Sequence, residues 1–295
     1  MIASIIGNYL KEKGLLSAEQ LIDLLEAHRK VRAKLGIIAV SEGLITQEEA
    51  DRINRLQAIM DMRFGDIAVE EGYLTEAQVE NLLKKQGNSY LAFAQALENQ
   101  RLMLIEQLEL LLIDFQYDNS LTSPDMEILK CDDIDQILHL FLPNEATSYE
   151  QIASVAVRAL MRLVDQDICI GRGYLTGSHE TENGAMQRVD GRTGFSTALV
   201  GKGNMLCEAA STYGQEVFNV MDEDALDAIG EIVNCINGLA TTGLNHNDDS
   251  LDLCPPEYFK EVETLEAEEM LVLPMKLLSR DVDLVITLGK NFIIK

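Results

Sequence analysis

The sequence predicts an α+β protein in two parts: an N-terminal all-helical repeat domain, and a second domain in which long helices cover antiparallel strands. The first ninety residues contain a tandem repeat with a period of 29 residues, which is typical of stacked helical units. From residue 148 onward, helical and strand-like patterns alternate without strict βαβ order, which favours antiparallel strand pairs. We therefore predict a helical domain over 1–117, a linker over 118–147 and a second domain over 148–295.

Each copy of the repeat carries the same local signals in the same order: two glycines, an apolar pair, a hydroxyl residue and then Gln or Glu. The aligned positions are Gly7, Gly36 and Gly65; Gly14, Gly43 and Gly72; Ser17, Thr46 and Thr75; and Gln20, Glu49 and Gln78. The last two positions form a capping box, which marks the start of a helix. A decayed fourth copy is predicted over Phe93–Phe115, with Ala94 in the first glycine position. Each copy is expected to be a helix hairpin, and the hairpins must stack to bury their apolar faces.

The second domain is predicted to begin with an amphipathic helix and to end with a strand pair. The expected elements are a helix opened by a capping box at Ser148–Gln151 and reaching Leu163, strands near 168–177 and 192–201, a short helix near 205–213, and strands near 270–278 and 282–288. Polar residues separate the first two strands.

A helix predicted over Asp222–Leu239 has two distinct faces. At about 100° per residue, one stripe is apolar and should pack against the core; it contains Leu226, Ile229, Val233, Ile236 and Ala240. Another line contains Asp227, Glu231, Asn234 and Gly238. Most polar helix faces are simply solvated. This one has no Lys or Arg that would make it an ordinary salt-bridged surface, so it is the candidate site for chemistry.

Composition limits the classes of partner. The chain of 295 residues has a formal net charge of −25, which argues against nucleic acid or an anionic membrane as a partner because both would repel it. The charge is uneven: residues 1–90 hold 14 acids and 11 bases, whereas residues 118–295 hold 31 acids and 12 bases. This asymmetry indicates two modules with different partners.

Cysteine and histidine usage argues against a disulfide framework, a metal site and nucleophilic catalysis. The five cysteines are widely spaced without a C-x-x-C pair, and the four histidines are scattered without a metal-binding motif. No apolar run is long enough to span a membrane, and no signal peptide is visible. A cytoplasmic protein with reduced thiols and no cofactor of its own is expected.

The polar line of the central helix resembles the motif of the chemotaxis phosphatase family that includes CheX and CheC. That motif is an acid or Ser, three residues, Glu, two residues, Asn, and a downstream proline. Here it reads Asp227-x₃-Glu231-x₂-Asn234, with Pro255-Pro256 downstream. The helix at 148–163 carries no second copy of the motif. One motif per chain resembles CheX more than the two-site members, and the resemblance implies a CheX-like α/β sandwich for the second domain.

The resemblance implies a phosphatase that acts on the aspartyl-phosphate of a CheY-like response regulator in chemotaxis or two-component signalling. Asn234 would orient the attacking water, since a carboxamide can both donate and accept a hydrogen bond. Glu231 would pair with a lysine of the receiver domain, and Asp227 would extend that contact. Mg²⁺ is expected in the receiver domain rather than in this chain. A homodimer formed through the sheet is also implied.

The repeats resemble a different family, the N-terminal domain of type II secretion and type IV pilus assembly ATPases, some of which bind cyclic di-GMP. The resemblance rests on Lys34–Gln57 and Arg63–Gln86, which follow the pattern R-L-G-x-x-L-V-x-x-G-L-I…Q. It implies that Arg63 and Gln86 would contact the ligand and that Gly65 and Gly72 would allow close backbone approach. The two copies are separated by only five residues and the first has Lys34 in place of Arg, so a helical interaction domain without nucleotide is the alternative.

Two other functions remain as alternatives to the phosphatase. One is a non-enzymatic adaptor that docks a receiver domain and senses cyclic di-GMP through its repeats. The other is a structural component like those of the flagellar switch, which share the fold without the catalytic pair. The presence of both Glu231 and Asn234 argues against the structural component.

Overall fold

The structure is a computed structural model that describes residues 1–31, 33–60, 63–85, 87–244, 251–262, 264–289 and 291–295. The chain divides into two compact units, Ile2–Asp133 and Ile134–Lys295. The segment 118–147, which we predicted as a linker, contributes helices to both units.

The first unit is built from helix hairpins. Its helices are α1 Ile2–Glu12, α2 Ala18–His28, α3 Leu35–Ser41, α4 Gln47–Met60, α5 Phe64–Glu70, α6 Glu76–Lys84, α7 Ser89–Asn99, α8 Ile105–Asp118 and α9 Ser123–Cys131. The first eight form four hairpins with the predicted period, and the hairpins pack against one another, with α2 on α7, α4 on α5 and α3 on α8. The predicted helical repeat domain is confirmed.

The capping chemistry predicted for the repeats is present in the structure. The hydroxyls of Ser17 and Thr75 accept hydrogen bonds from the backbone amides of Gln20 and Gln78, whose side chains accept from the cap residues in return. The second glycine of each copy has a left-handed backbone, with φ of 74° at Gly14, 64° at Gly43 and 76° at Gly72. Only glycine adopts this conformation without strain. The signals therefore mark real helix ends.

The fourth copy keeps the turn without its usual residues. Arg101 takes the glycine position with φ of 56°. The side chain of Gln107 still accepts a hydrogen bond from the backbone amide of Leu104 at 3.0 Å. Leu104 has no hydroxyl that could accept from the backbone amide of Gln107 in return. Half of the capping box thus survives in the decayed copy.

In the first and third copies, the first glycine allows the two helices of a hairpin to approach closely. A Cβ placed on Gly65 would lie 2.8 Å from Cγ1 of Val79, and one on Gly7 would lie 2.5 Å from Cδ1 of Leu21. Leu21 and Val79 occupy the same position in their copies. Packing between helices therefore requires Gly65, independently of any ligand.

Gly65→Ala is expected to destabilise the first unit by about 1 kcal/mol. Overpacking costs about 1–3 kcal/mol, and this exceeds the gain of up to about 1 kcal/mol in helix propensity. Urea unfolding measures the change. Gly87→Ala is the control because a Cβ there meets nothing within 4 Å. Adding Val79→Ala to Gly65→Ala should restore part of the loss, and equal stability of Gly65→Ala and wild type would contradict this account.

The second unit is a sheet of antiparallel strands with helices against it. Its helices are α10 Ile134–Phe141, a 3-10 helix Asn144–Tyr149, α11 Glu150–Leu163, α12 Cys207–Gly214 and α13 Glu223–Leu244. Its strands are β1 Cys169–Ile170, β2 Tyr174–Glu180, β3 Asn183–Asp190, β4 Phe195–Gly201, β5 Asp252–Leu253, β6 Glu257–Phe259, β7 Thr264–Leu277, β8 Arg280–Leu288 and β9 Ile293–Ile294. The strand order is β1-β7-β8-β4-β3-β5, with β2 and β9 paired to β7 and β6 paired to β3. The predicted α+β class is confirmed.

The long helix α13 lies at the centre of this unit. It packs against β3 and β4 of the sheet and against α11 and α12. Strand β4 is buried along its whole length, so the sheet beneath α13 is a rigid support. This packing decides which face of α13 is buried and which faces outward.

Two details of the predicted second unit are wrong. Strand β3 was not expected, because Asn183–Asp190 contains polar residues where a buried strand normally carries apolar ones. The helix α11 does not start at a capping box: the chain enters it from the 3-10 helix, and Tyr149 at its N-cap makes no side-chain cap hydrogen bond.

Candidate functional site

The helix α13 begins where its sequence requires. The carboxylate of Asp222 accepts a hydrogen bond from the backbone amide of Ala225 at 3.0 Å and caps the helix. The predicted packing stripe is buried; it consists of Leu226, Ile229, Val233, Ile236 and Ala240. Burying this stripe turns the opposite line of residues outward.

The structure brings the four predicted residues together on the outer line of α13. Asp227 and Glu231 are exposed, and Asn234 and Gly238 are half-buried. A Cβ on Gly238 would meet nothing within 4 Å, so packing inside this chain does not require a glycine there. The open space leaves room for another molecule at this end of the line.

A side chain of the sheet holds Asn234 on the side that faces β3. Its Oδ1 accepts a hydrogen bond from Nε2 of Gln187 at 2.7 Å. Gln187 lies on β3, is 1% exposed, and also donates to the backbone carbonyl of Cys254 at 2.8 Å. Among the described residues, nothing accepts a hydrogen bond from Nδ2 of Asn234. The site therefore offers an amide group with an uncommitted NH₂.

Tyr258 covers the first turns of the line. Its hydroxyl donates to Oδ1 of Asp227 at 2.7 Å, and its ring lies where a side chain on Gly230 would otherwise stand. The hydrogen bond to Asp227, burial, and the charges of Asp227 and Glu231 raise the pKa of Tyr258 to about 12. A phenol is protonated at neutral pH in any case, and the raised pKa keeps the hydrogen bond to Asp227 in place at higher pH as well.

We expect Tyr258 to titrate above the ordinary range of a tyrosine. Because its folded pKa is raised, its hydrogen bond contributes stability that is complete below about pH 10 and is lost as the pH rises through about 12. Ultraviolet titration of tyrosinate in wild type and Tyr258→Phe measures this, since the chain has 8 tyrosines and no tryptophan. A difference between the two titrations that is centred near pH 10 would contradict the assigned hydrogen bond.

Glu231 lies between two tyrosines without being paired. Its charge contributes to the raised pKa values of both Tyr213 and Tyr258. The hydroxyl of Tyr213 lies 3.4 Å from Sγ of Cys235, and this contact is the main reason why its pKa rises to about 12. No described residue forms a hydrogen bond or ion pair with the Glu231 carboxylate. It is free to meet a cation from a partner.

The downstream prolines lie beside the same residues. Pro255 and Pro256 connect β5 to β6, and both of these short strands pair with β3. The carbonyl of Cys254, directly before them, is the second acceptor of Gln187. The proline segment is therefore linked to Asn234 through one side chain.

Sequence reasoning missed Gln187 and Tyr258. It also missed buried Asn237 and Thr197: Asn237 donates to Oε1 of Gln187 and accepts from the hydroxyl of Thr197. Asn237 could have been found, because it lies one turn after Val233 on the apolar stripe, and a buried amide must be hydrogen-bonded. Gln187 and Tyr258 lie on elements whose pairing with α13 no local pattern reveals.

Some of the ligand residues predicted in the first unit line a common cavity and others do not. Arg63 is exposed and lines a cavity of about 440 Å³ together with Gly65, Lys34, Asn54 and Gln57. Gly72 does not line this cavity; it is in the turn between α5 and α6. Gln86 lies outside the described residues.

Comparison with known proteins gives structural likeness at low identity. No family model matches the chain, and no curated protein matches it. A CheX chemotaxis protein from Desulfovibrio desulfuricans is 15% identical with a TM-score of 0.42, over 48% of this chain and 99% of that one. A CheC-like superfamily protein from Shewanella sp. PV-4 is 15% identical with a TM-score of 0.43, over 48% and 97%. A chain of the CheX–CheY–BeF₃–Mg²⁺ complex from Borrelia burgdorferi is 18% identical with a TM-score of 0.40, over 48% of this chain and 98% of that one.

Neither a membrane-spanning helix nor a cluster of metal-binding side chains is found in the described part of the chain. No described helix is long and apolar enough to cross a membrane. No group of three or more His, Cys, Asp or Glu side chains could hold a metal ion there.

Proposed function

We propose that the second unit is a phosphatase that hydrolyses the aspartyl-phosphate of a CheY-like receiver domain. The observation that carries this proposal is the pairing on α13 of an oriented carboxamide, Asn234, with an unpaired carboxylate, Glu231, one turn away. Both groups face outward, where a folded partner can reach them.

The reaction needs little from this chain beyond alignment. Phosphoryl transfer to water depends on placing the nucleophile in line and on stabilising charge on the phosphoryl oxygens. The water oxygen forms a bond to phosphorus as the phosphorus–oxygen bond to the receiver's aspartate breaks. The receiver recovers its carboxylate, and the phosphate leaves as H₂PO₄⁻ with both hydrogens of the water. No acid–base residue of this chain is required.

Asn234 is suited to hold that water. Its Oδ1 has one lone pair occupied by Gln187 and a second available to accept from water, while its NH₂ can donate to a phosphoryl oxygen. Glu231 would form an ion pair with the receiver's lysine and set the register of the two proteins. Asp227, held by Tyr258, would extend this contact. Mg²⁺ bound by the receiver would stabilise the phosphoryl charge.

The test is the decay of aspartyl-phosphate on receivers from the same organism. Wild type should accelerate the decay, and Glu231→Ala/Asn234→Ala should not, although its fold is unchanged by circular dichroism. If a receiver binds but its phosphate decays at the same rate with wild type and with the double variant, the chain is an adaptor instead of an enzyme.

A second candidate function is a receiver-docking adaptor whose first unit senses cyclic di-GMP, and the cavity beside Arg63 favours it. Arg63 and Lys34 supply positive charge, and Asn54 and Gln57 supply amides, around about 440 Å³. Such groups suit a ligand with two phosphates and two bases. Calorimetric titration with cyclic di-GMP tests it, with Arg63→Ala as the site variant and Arg29→Ala as the control. Equal heats for the three proteins would place the ligand elsewhere, and no heat would remove it.

We also propose that the second unit forms a homodimer through its sheet. Ile293 on strand β9, which pairs with β7 at one side of the sheet, is 58% exposed. Sedimentation should show a dimer that Ile293→Glu weakens, and a monomer at all concentrations would contradict it.

A further inference from the structure

We infer that Gln187 is the positioning residue that decides which end of the Asn234 amide faces the partner. The inference rests on the proposed phosphatase function and adds a residue from strand β3 to a site otherwise formed by α13. Gln187 touches neither water nor phosphate in this account. It acts through Asn234 alone.

The direction of the hydrogen bonds follows from a backbone group that can only accept. The carbonyl of Cys254 lies 2.8 Å from the end of the Gln187 side chain. A carbonyl has no proton to give, so the group facing it must be the NH₂ of Gln187. The same nitrogen lies 2.7 Å from Asn234, so the facing atom of Asn234 must be its oxygen. The NH₂ of Asn234 is thereby directed away from the sheet.

The other end of Gln187 is fixed in the same way. Nδ2 of Asn237 lies 3.3 Å from the backbone carbonyl of Gln187 and 3.0 Å from its side-chain Oε1. Oδ1 of Asn237 then accepts from the hydroxyl of Thr197 at 2.8 Å. This set of amide orientations pairs every donor with an acceptor. Turning any one of the three amides around would place two NH₂ groups or two oxygens against each other.

This network is rigid because it is buried between the sheet and α13. Gln187, Asn237 and Thr197 are each no more than 1% exposed. Gln187 and Thr197 are directly opposite each other on β3 and β4, so both side chains point to α13. A satisfied buried network of this kind holds one arrangement, whereas a broken one leaves expensive unpaired groups. Half-buried Asn234 is connected to this buried network by one hydrogen bond, which it accepts from Gln187.

Removing the donor should release the Asn234 amide without removing any group that faces the partner. In Gln187→Met, which has a similar volume and no amide, Asn234 can rotate and present either end. In Gln187→Glu the ionised carboxylate only accepts, so it favours the NH₂ of Asn234 and turns the oxygen outward. A misaligned catalytic group costs up to about 100-fold in rate, while Asp227 and Glu231 still dock the receiver.

The two variants differ in their pH dependence. Burial raises the pKa of an introduced carboxyl group, and its protonated form has one O–H, which can donate to Asn234 although it cannot at the same time donate to the carbonyl of Cys254. The activity of Gln187→Glu relative to wild type should therefore rise as the pH falls. The activity of Gln187→Met relative to wild type should not change with pH. A purely structural loss in Gln187→Glu, caused by the buried charge, would lower its thermal stability at each pH in parallel with its activity, whereas a loss through Asn234 leaves the protein folded.

The experiment measures kcat and KM for a phosphorylated receiver with wild type, Asn234→Ala, Gln187→Met and Gln187→Glu between pH 5.5 and 8.5, with thermal unfolding of each protein. We expect both Gln187 variants to lose about 10-fold or more in kcat with KM within 2-fold of wild type. If Gln187→Met does not fold, Thr197→Val replaces it, since it removes only the hydroxyl that orients Asn237; we expect a smaller loss in kcat.

The outcomes separate the inference from the function on which it rests. Equal rates for wild type and Asn234→Ala would overturn the proposed function, and the inference with it. A loss for Asn234→Ala with wild-type kcat for folded Gln187 variants would overturn the inference alone. A loss in Gln187→Glu that is the same at every pH relative to wild type would also overturn it.

Discussion

Asn234→Ala is expected to lower kcat for receiver dephosphorylation by about 10²–10³-fold, the range found when one group that stabilises a transition state is removed. KM should stay within about 2-fold of wild type, because the variant keeps the carboxylates of Asp227 and Glu231. The loss arises since the amide both holds the water and donates toward the phosphoryl oxygens, and alanine does neither. A loss in kcat without a change in KM is typical of an interaction made in the transition state.

Steady-state kinetics with the phosphorylated receiver measure this effect. Asn219→Ala is the matched control, since it makes the same truncation at an exposed residue that precedes α13 and is not part of the polar line. It should keep wild-type kcat and KM. If Asn234→Ala kept wild-type kcat, the role given to the amide would be wrong.

Glu231→Lys is expected to raise KM by about 30-fold or more and to leave kcat at saturation much less affected. Truncating one member of a buried charged pair at an interface costs about 2–5 kcal/mol, and a lysine there would add repulsion of the receiver's own lysine. Nothing in the described part of this chain pairs with Glu231, so the change costs no internal ion pair. Glu231→Gln should fall between wild type and Glu231→Lys.

Binding of a beryllofluoride-activated receiver, followed by calorimetry at low and high salt, checks the sign of this effect. The difference between wild type and Glu231→Gln should shrink at high salt because exposed charges are screened. Glu216→Gln is the control: it removes the same charge from an exposed residue that precedes α13 and is not part of the polar line. Equal binding by Glu231→Lys and wild type would show that the receiver does not contact Glu231.

The parts of the fold that sequence could predict are those set by local chemistry. The capping boxes at Ser17 and Thr75 and the left-handed glycines at Gly14 and Gly72 depend on neighbours within a few residues. The same is true of the two faces of α13, because helical periodicity alone separates buried Ile229 from exposed residues such as Glu231.

The supports of the site could not be predicted because they are distant in sequence. Gln187 is 47 residues from Asn234 and 50 from Asn237, and Tyr258 is 31 residues from Asp227. Strand β3 was missed for the same reason. Its inward-facing glutamine resembles a loop residue until its buried partners on α13 are known. Local periodicity locates the chemistry on α13, and only the tertiary structure shows what orients it.

The central claim is that this chain is a catalyst, and phosphate release at substoichiometric amounts tests it most directly. One molecule of protein would be mixed with about one hundred of phosphorylated receiver in the presence of Mg²⁺, and inorganic phosphate followed over time. The account predicts many phosphates released per molecule of wild type, and for Asn234→Ala the rate of the receiver alone. Release that stops at one phosphate per molecule, or that is the same for both proteins, would contradict it.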